Sequence, residues 1–336
     1  MRKILPNLRL IKFIKYMACI DACIELLKQE FMKEEMIAQV DKFLKRASYS
    51  PKWMLYSDYC LDDKNKPNDV LSFALIPFIS EEKYQEIEQK IKETQPVDIK
   101  HTRSISGEFM DYIKTQAVFS FSFILNDRQL LFGSDETEQI KTIENIFDNL
   151  KTTFVRWSDN ADNHQQREYY KETIAKIKKQ LREIFLKKKV KDQIDVLLIT
   201  LLAAYYTGSI LKRLPDIQIF GWFPDRDKTN ETCEALAVPI FNALQYEYMG
   251  ARQYQFYAAK PDSQTVPFYD NENRIADVIC GTLADYNFKD NLISKDKFDE
   301  VLQGLMADNM FVKVYRFFVE GDKMHLGLIK IMSKEP

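Results

Sequence analysis

The chain has 336 residues, of which 46% are hydrophobic and 29% are charged, and its formal net charge is −2. That length allows one large or two ordinary domains, and the near-neutral charge excludes a globally basic nucleic-acid binder, so phosphate contacts must come from local patches. Scattered cysteines, few histidines and no apolar run approaching the ~20 residues of a membrane span predict a cytoplasmic protein with reduced thiols and no membrane partner.

Residues 7–47 predict one or two amphipathic helices, because apolar side chains recur at helical spacing and Lys and Arg occupy the other face. We interpret residues 1–50 as a helical extension that packs on the following domain, although a membrane-surface helix has the same pattern. A homo-oligomeric or protein contact through this extension stays open.

A β-hairpin is predicted next. Residues 53–59 form an aromatic strand containing Asp58, and after a polar turn Val70–Ile79 form the second strand. A charged helix over 81–94 begins after Ser80, which is a favoured N-cap residue. Residues 97–102 predict a short edge strand, and a helix is expected around 107–114.

Residues 116–125 alternate Phe and Ser, the period of a strand, and are followed by helices over 135–153 and 165–188. The second helix carries a basic face that includes Lys176, Lys178, Lys179 and Arg182. A solvated helix face is the ordinary interpretation, and a patch that binds a nucleic-acid backbone is the alternative.

The helix predicted over 191–212 is apolar all round and should be buried. A buried strand over 217–223 follows and runs into a turn with Asp225 and Asp227. Residues 229–249 predict a helix kinked at Pro239, and 252–259 predict a strand.

The helix predicted over 271–287 carries Asp277 and Asp285, eight residues apart and therefore on one face. Asp277 is the stronger metal candidate and Asp285 is interpreted as structural. Gly281 between them predicts the close approach of a core strand. A helix over 295–307 and a hairpin over 311–319 and 324–332 are expected to form an appended lobe, residues 291–336, with a partner contact as one role.

Aspartates at or near element ends are candidate ligands for a hard divalent cation, Mg²⁺ or Mn²⁺, which prefers oxygen. We select Asp58, Asp225 and Asp277 as catalytic and metal-binding residues, with Asp227 as a further ligand. The alternative is that each one is a cap or turn residue.

The order of elements resembles the ribonuclease H-like fold, in which the first strand, a later strand and a C-terminal helix each carry a metal-binding aspartate. SDYC after an aromatic strand, FGWFPDRDK, and Lys260 with the run Asn273–Gly281 resemble three motifs of the bacterial domain-of-unknown-function 3800 family. The resemblance implies an α/β, ribonuclease H-like mixed sheet over 51–290, with a helical insertion at about 135–190 and the N-terminal helical extension.

The chain also departs from that family. Tyr59 and Cys60 replace its Glu-Ser-Gly, and only Asp192 or Asp195 is a candidate for the fourth carboxylate. No phosphate-binding glycine loop and no nucleophile-elbow motif is present.

The resemblance implies a metal-dependent nuclease or a related phosphodiester-cleaving enzyme. The alternative is a catalytically degenerate binding or regulatory protein, for example in a defence or mobile-element system. Nucleic acid, DNA or RNA, is the expected partner. Its candidate contacts are Lys66, Arg226, Lys228, Lys260, Lys178, Lys179 and Arg182.

Overall fold

The computed structural model describes residues 18–186, 189–225, 232–233, 235–259, 269–320 and 323–334. Its strands are β1 (Lys52–Cys60), β2 (Val70–Pro77), β3 (Phe119–Ile124), β4 (Ile219–Pro224), β5 (Gln255–Ala258), β6 (Val312–Glu320) and β7 (Lys323–Ile329). Its helices are α1 (Ala18–Phe31), α2 (Glu34–Arg46), α3 (Glu81–Thr94), α4 (Gly107–Thr115), α5 (Glu136–Asp159), α6 (His164–Phe185), α7 (Val190–Leu211), α8 (Ala237–Tyr248), α9 (Asp270–Asp285) and α10 (Asp296–Val301). The class is α/β.

The strands form one mixed seven-stranded sheet in the order β5-β4-β1-β2-β3-β6-β7. β1, β2 and β3 are successive antiparallel neighbours, while β4 is parallel to β1 and β5 is parallel to β4. β6 is parallel to β3 and turns back into the antiparallel strand β7. The C-terminal hairpin, expected as an appended lobe, therefore continues the central sheet.

Alternate side chains of β1 belong to two separate hydrophobic cores. Trp53 and Leu55 belong to a core with α1, α2 and α5 to α8, whereas Tyr56 belongs to a core with α3, α4, α9 and α10. Because alternate side chains of a strand share a face, Asp58 points to the same side as Tyr56, toward α9.

α7 is apolar on every face, and other parts of the protein cover it on every side. Among the described residues it is the one helix long and apolar enough to cross a membrane, and 94% of its apolar window is buried inside the fold. The Tyr206 ring stacks on Phe121 at 4.2 Å between centroids, and the hydroxyls of Tyr206 and Tyr315 are 3.0 Å apart. α7 is thus the central helix of the larger core.

Two local predictions were wrong. Residues 97–102 form turns rather than a strand, because side chains of other elements satisfy the backbone groups of this segment. Pro239 is the third residue of α8, in the first turn, where its missing N–H has no partner to lose, so it causes no kink. The Ser80 cap is confirmed, since its Oγ accepts from the N–H of Lys83.

A buried arginine organises the β1–β2 turn. Arg128, in a short 3₁₀ turn after β3, donates from Nε to Asp195 Oδ1 at 2.5 Å and from Nη2 to Asp62 Oδ2 at 2.9 Å, and it also contacts Asp69. Both Arg128 and Asp195 are buried. Burial raises the pKa of Asp195, and the guanidinium opposes that rise. The pair fastens α7 to the turn.

Replacing Arg128 by methionine should lower the free energy of unfolding by about 3–5 kcal/mol, because a buried carboxylate loses its partner. Urea unfolding followed by circular dichroism measures this. Arg213→Met is the matched control, since Arg213 pairs with Asp41 at the surface and should cost less than about 1 kcal/mol. Equal losses in the two variants would contradict a special role for the Arg128 network.

Candidate functional site

The parallel pairing of β1 and β4 places two of the predicted aspartates side by side. Ser57 lies opposite Pro224 in the register, and the N–H of Asp225 donates to the Ser57 carbonyl at 2.8 Å. Asp225 therefore follows β4 next to Asp58, about one strand spacing of 4.8 Å away.

α9 brings the third aspartate to the same place. The helix packs across β1 and β2, and its Cys280 Sγ lies 3.8 Å from the Val70 carbonyl oxygen. Asp277, three residues earlier and on the same helix face, lies over β1. Asp58 is 6% exposed and Asp277 is 7% exposed. Three elements distant in sequence thus bring Asp58, Asp225 and Asp277 into one carboxylate cluster.

The carboxylates of the cluster oppose one another's ionisation. Burial raises the pKa of Asp58 well above its usual range, and the neighbouring carboxylates of Asp277 and Asp225 raise it further. Burial likewise raises the pKa of Asp277 to about 7, and Asp98 adds to this effect. A cation placed among these carboxylates would reduce their mutual repulsion and favour their ionised forms.

The segment 97–102 covers the cluster through the backbone of one residue, Ile99. The N–H of Ile99 donates to Asp277 Oδ2 at 3.1 Å, and its carbonyl accepts from the Lys297 ammonium. Lys297, which is buried, also donates to the Thr102 carbonyl at 3.0 Å. We call residues 97–102 the Ile99 loop.

The Ile99 loop delivers Lys100, a residue that the sequence interpretation missed. Its backbone N–H donates to Asp98 Oδ1 at 2.6 Å. Burial disfavours the ammonium, but Asp58 and Asp277 outweigh it and raise the pKa of Lys100. The signal in the sequence was weak, because a lone lysine in a segment assigned as an edge strand carries no motif.

Gly281 lies against the Ile99 loop, whereas we had expected it to lie against a core strand. A Cβ built at this position would lie 3.4 Å from Ile99 Cγ2 and 3.5 Å from a ring carbon of Phe298. Both distances are ordinary van der Waals contacts, so the loop lies against α9 one turn after Asp277 without requiring a glycine there.

Asp285 has a structural role. It forms an ion pair with Lys66, a residue that we had predicted to contact phosphate. Its Oδ1 is 2.7 Å from Lys66 Nζ, and Ser294 donates to both of its oxygens. The Lys66 side chain is only 16% exposed and its ammonium lies 4.4 Å from the centroid of the Phe298 ring. Lys66 is therefore held inside the protein, and we withdraw it as a phosphate contact.

The remaining predicted residues fall into three groups. Asp195 is paired with Arg128 and so does not supply a fourth carboxylate, while Asp192 is half-buried in the first turn of α7. Lys178, Lys179 and Arg182 are exposed on α6. Asp227, Arg226, Lys228 and Lys260 lie outside the described residues.

The cluster fits a hard divalent cation by its donor chemistry. Carboxylate oxygens are the ligands that Mg²⁺ and Mn²⁺ prefer. Among the residues that the structure describes, however, no group of three or more Asp, Glu, His or Cys is spaced to hold an ion as it stands. Like-charged carboxylates repel, so their closure around one ion requires the charge of that ion.

Replacing Asp277 by asparagine should stabilise the protein without added metal, because the amide keeps an acceptor for Ile99 and removes a buried, repelled acid. A rise in Tm on the order of 2 °C is expected at pH 8 by calorimetry. The folded pKa of Asp277 is raised to about 7, so the penalty in the wild type develops as pH rises. The gain should therefore vanish below about pH 4.

Asp285→Asn is the control on the same helix and should lower Tm, since it loses charge opposite Lys66. A fall in Tm for Asp277→Asn at pH 8 would show that the carboxylate is a stabilising group.

Comparison with known proteins yields no match: no protein-family model, no curated protein and no solved structure matches this chain. A function must therefore be argued from the chemistry of the chain's own residues.

Proposed function

We propose that the chain is a divalent-metal-dependent nuclease, or a related phosphodiester-cleaving enzyme, of ribonuclease H-like fold. The observation that carries the proposal is the carboxylate cluster: Asp58, Asp225 and Asp277 reach one place from β1, the end of β4 and α9. Two of them are buried, which is an unfavourable position for acids with no chemical task.

The order of elements supports the fold assignment. A hairpin, a third strand, the buried helix α7, β4, α8, β5 and α9 follow one another along the chain. This is the order that we associated with the ribonuclease H-like fold, and the three aspartates stand on the elements that carry metal ligands there.

Asp58, Asp225 and Asp277 would hold Mg²⁺ or Mn²⁺, which when bound activates a water molecule and stabilises the leaving oxygen. Ile99 fixes one oxygen of Asp277, and Lys297 fixes Ile99, so the carboxylate is oriented before substrate arrives. Lys100 supplies a cation next to the carboxylates and would bind a non-bridging phosphate oxygen. The exposed face of α6, with Lys178, Lys179 and Arg182, would follow the backbone of DNA or RNA in the cytoplasm.

One observation favours the second candidate, a catalytically degenerate binding or regulatory protein. Asp195 forms an ion pair with Arg128, so it is not free to act as the carboxylate that the ribonuclease H-like pattern expects on the first core helix, and the further acid near Asp277 is Asp98 on the Ile99 loop. Such a protein would bind nucleic acid without cleaving it.

Cleavage should require Mg²⁺ or Mn²⁺ and should be abolished by EDTA, on at least one of single- or double-stranded DNA or RNA labelled at one end. Asp58→Asn and Asp277→Asn should each lower the rate about 100-fold or more, because several kcal/mol of transition-state stabilisation is lost. Asp270→Asn is the control, since Asp270 lies on α9 but pairs with Arg274.

Binding of Mn²⁺ measured by calorimetry separates the two candidates. An enzyme binds the ion and cleaves, and both properties are lost in Asp58→Asn. Nucleic-acid binding with neither cleavage nor Mn²⁺ affinity would identify the degenerate protein and overturn the nuclease proposal.

A further inference from the structure

A cavity of about 440 Å³ opens beside Asp225, at the carboxyl ends of β4 and β5. α6 and α8 cover it, and the residue before α9 closes one side. Its described lining residues are Tyr169, Glu172, Thr173, Lys176, Trp222, Pro224, Asp225, Ala235, Ala237, Val238, Pro239, Asn242, Phe256, Ala258, Ala259 and Tyr269. The volume is within the range of pockets for small organic ligands.

The wall of the cavity combines small residues with aromatic rings. Alanines at the start of α8 and at the end of β5 leave the space, while Tyr169, Phe256 and Tyr269 bring rings to it from α6, β5 and the residue before α9. The Tyr269 ring is itself supported by Phe223, with 5.3 Å between centroids. Flat apolar walls of this kind accept a planar ring by stacking.

Polar groups stand at defined places in this apolar wall. The Tyr254 hydroxyl donates to Oδ1 of Asn242 at 3.2 Å, so the amide is oriented and its NH₂ group is the part left for a ligand acceptor. Lys176 and Glu172 lie one helical turn apart on α6, and among the described residues neither side chain has an ion-pair partner. A hydrogen-bonding amide and a cation beside aromatic walls match a heterocycle attached to a phosphate.

We propose that this cavity binds one nucleobase of the nucleic-acid substrate. The inference rests on the proposed function, because Asp225 belongs both to the cavity wall and to the carboxylate cluster. Because Asp225 lines the cavity, a base held here lies beside the member of the carboxylate cluster that follows β4. Tyr169 stacks on the base, Asn242 contacts its edge, and Lys176 neutralises the adjoining phosphate.

The helical insertion then has a defined role in recognition. Tyr169, Thr173 and Lys176 are spaced four and three residues apart and so lie on one face of α6. The sheet and α8 supply only the other walls. The base pocket exists because the insertion packs over the sheet edge.

Titration calorimetry in EDTA tests the proposal without any need for catalysis. The probes are AMP, GMP, CMP and UMP, with ribose 5-phosphate as the ligand that lacks a base. At least one nucleotide should bind about 10-fold or more tightly than ribose 5-phosphate. Tyr169→Ala should weaken that nucleotide about 10-fold, because stacking contributes about 1–3 kcal/mol per base.

Matched variants keep the test specific. Tyr169→Phe retains the ring and should bind like the wild type, and Tyr257→Ala should have no effect, because Tyr257 on β5 is 53% exposed and lies outside the cavity. Tyr169 is 40% exposed, so its truncation should leave the fold intact, which circular dichroism checks.

Equal affinity for ribose 5-phosphate and all nucleotides would overturn the base pocket, as would equal losses in Tyr169→Ala and Tyr257→Ala. Asp58→Asn separates this proposal from the nuclease proposal. Nucleotide binding should survive in that variant, whereas cleavage should not.

Discussion

The burial of two aspartates between β1 and α9 is the constraint on which the rest of the site depends. Neither acid can be packed there unless its charge is met, and the backbone of one residue, Ile99, contributes to this for Asp277. Ile99 gives its N–H to Asp277 and its carbonyl to Lys297, so a buried lysine on α10 is linked through the loop to a buried acid on α9. The Ile99 loop lies against α9 at Gly281, and it carries Lys100 into the field of the carboxylates.

A second group of aspartates lies near the β1–β2 turn, and these acids form ion pairs with basic side chains. Asp62, Asp69 and Asp195 surround Arg128, whose guanidinium contacts all three, and Lys191 also pairs with Asp62. No arginine among the described residues pairs with Asp58 or Asp277, and burial raises the pKa values of both. The group around Arg128 serves the fold, whereas the carboxylate cluster is the group that we propose to hold a positively charged ligand.

Patterns local to the sequence predicted most elements, because alternation and capping are local properties. The Phe-Ser alternation of 116–125 gave β3, and Ser80 began α3 where expected. Residues 97–102, Lys66 and the role of Gly281 could not be predicted, since each depends on a side chain from a distant element. The position of the C-terminal hairpin depended on pairing between β3 and β6, across nearly 190 residues, which no local pattern encodes. The three aspartates could be selected because strand ends and helix faces are readable in advance, and Lys100 could not.

The hydrogen bond from Ile99 to Asp277 also affects which ions would fit the metal site that we propose. One oxygen of Asp277 already accepts a hydrogen bond from a backbone N–H, so the other oxygen is the less occupied donor for an ion. Ca²⁺ takes six to eight oxygens and often uses both oxygens of a carboxylate, whereas Mg²⁺ requires octahedral geometry, uses few carboxylate oxygens and keeps its own waters. In the metal site that we propose, the loop would therefore favour binding through one oxygen of Asp277 and would disfavour the larger cation Ca²⁺.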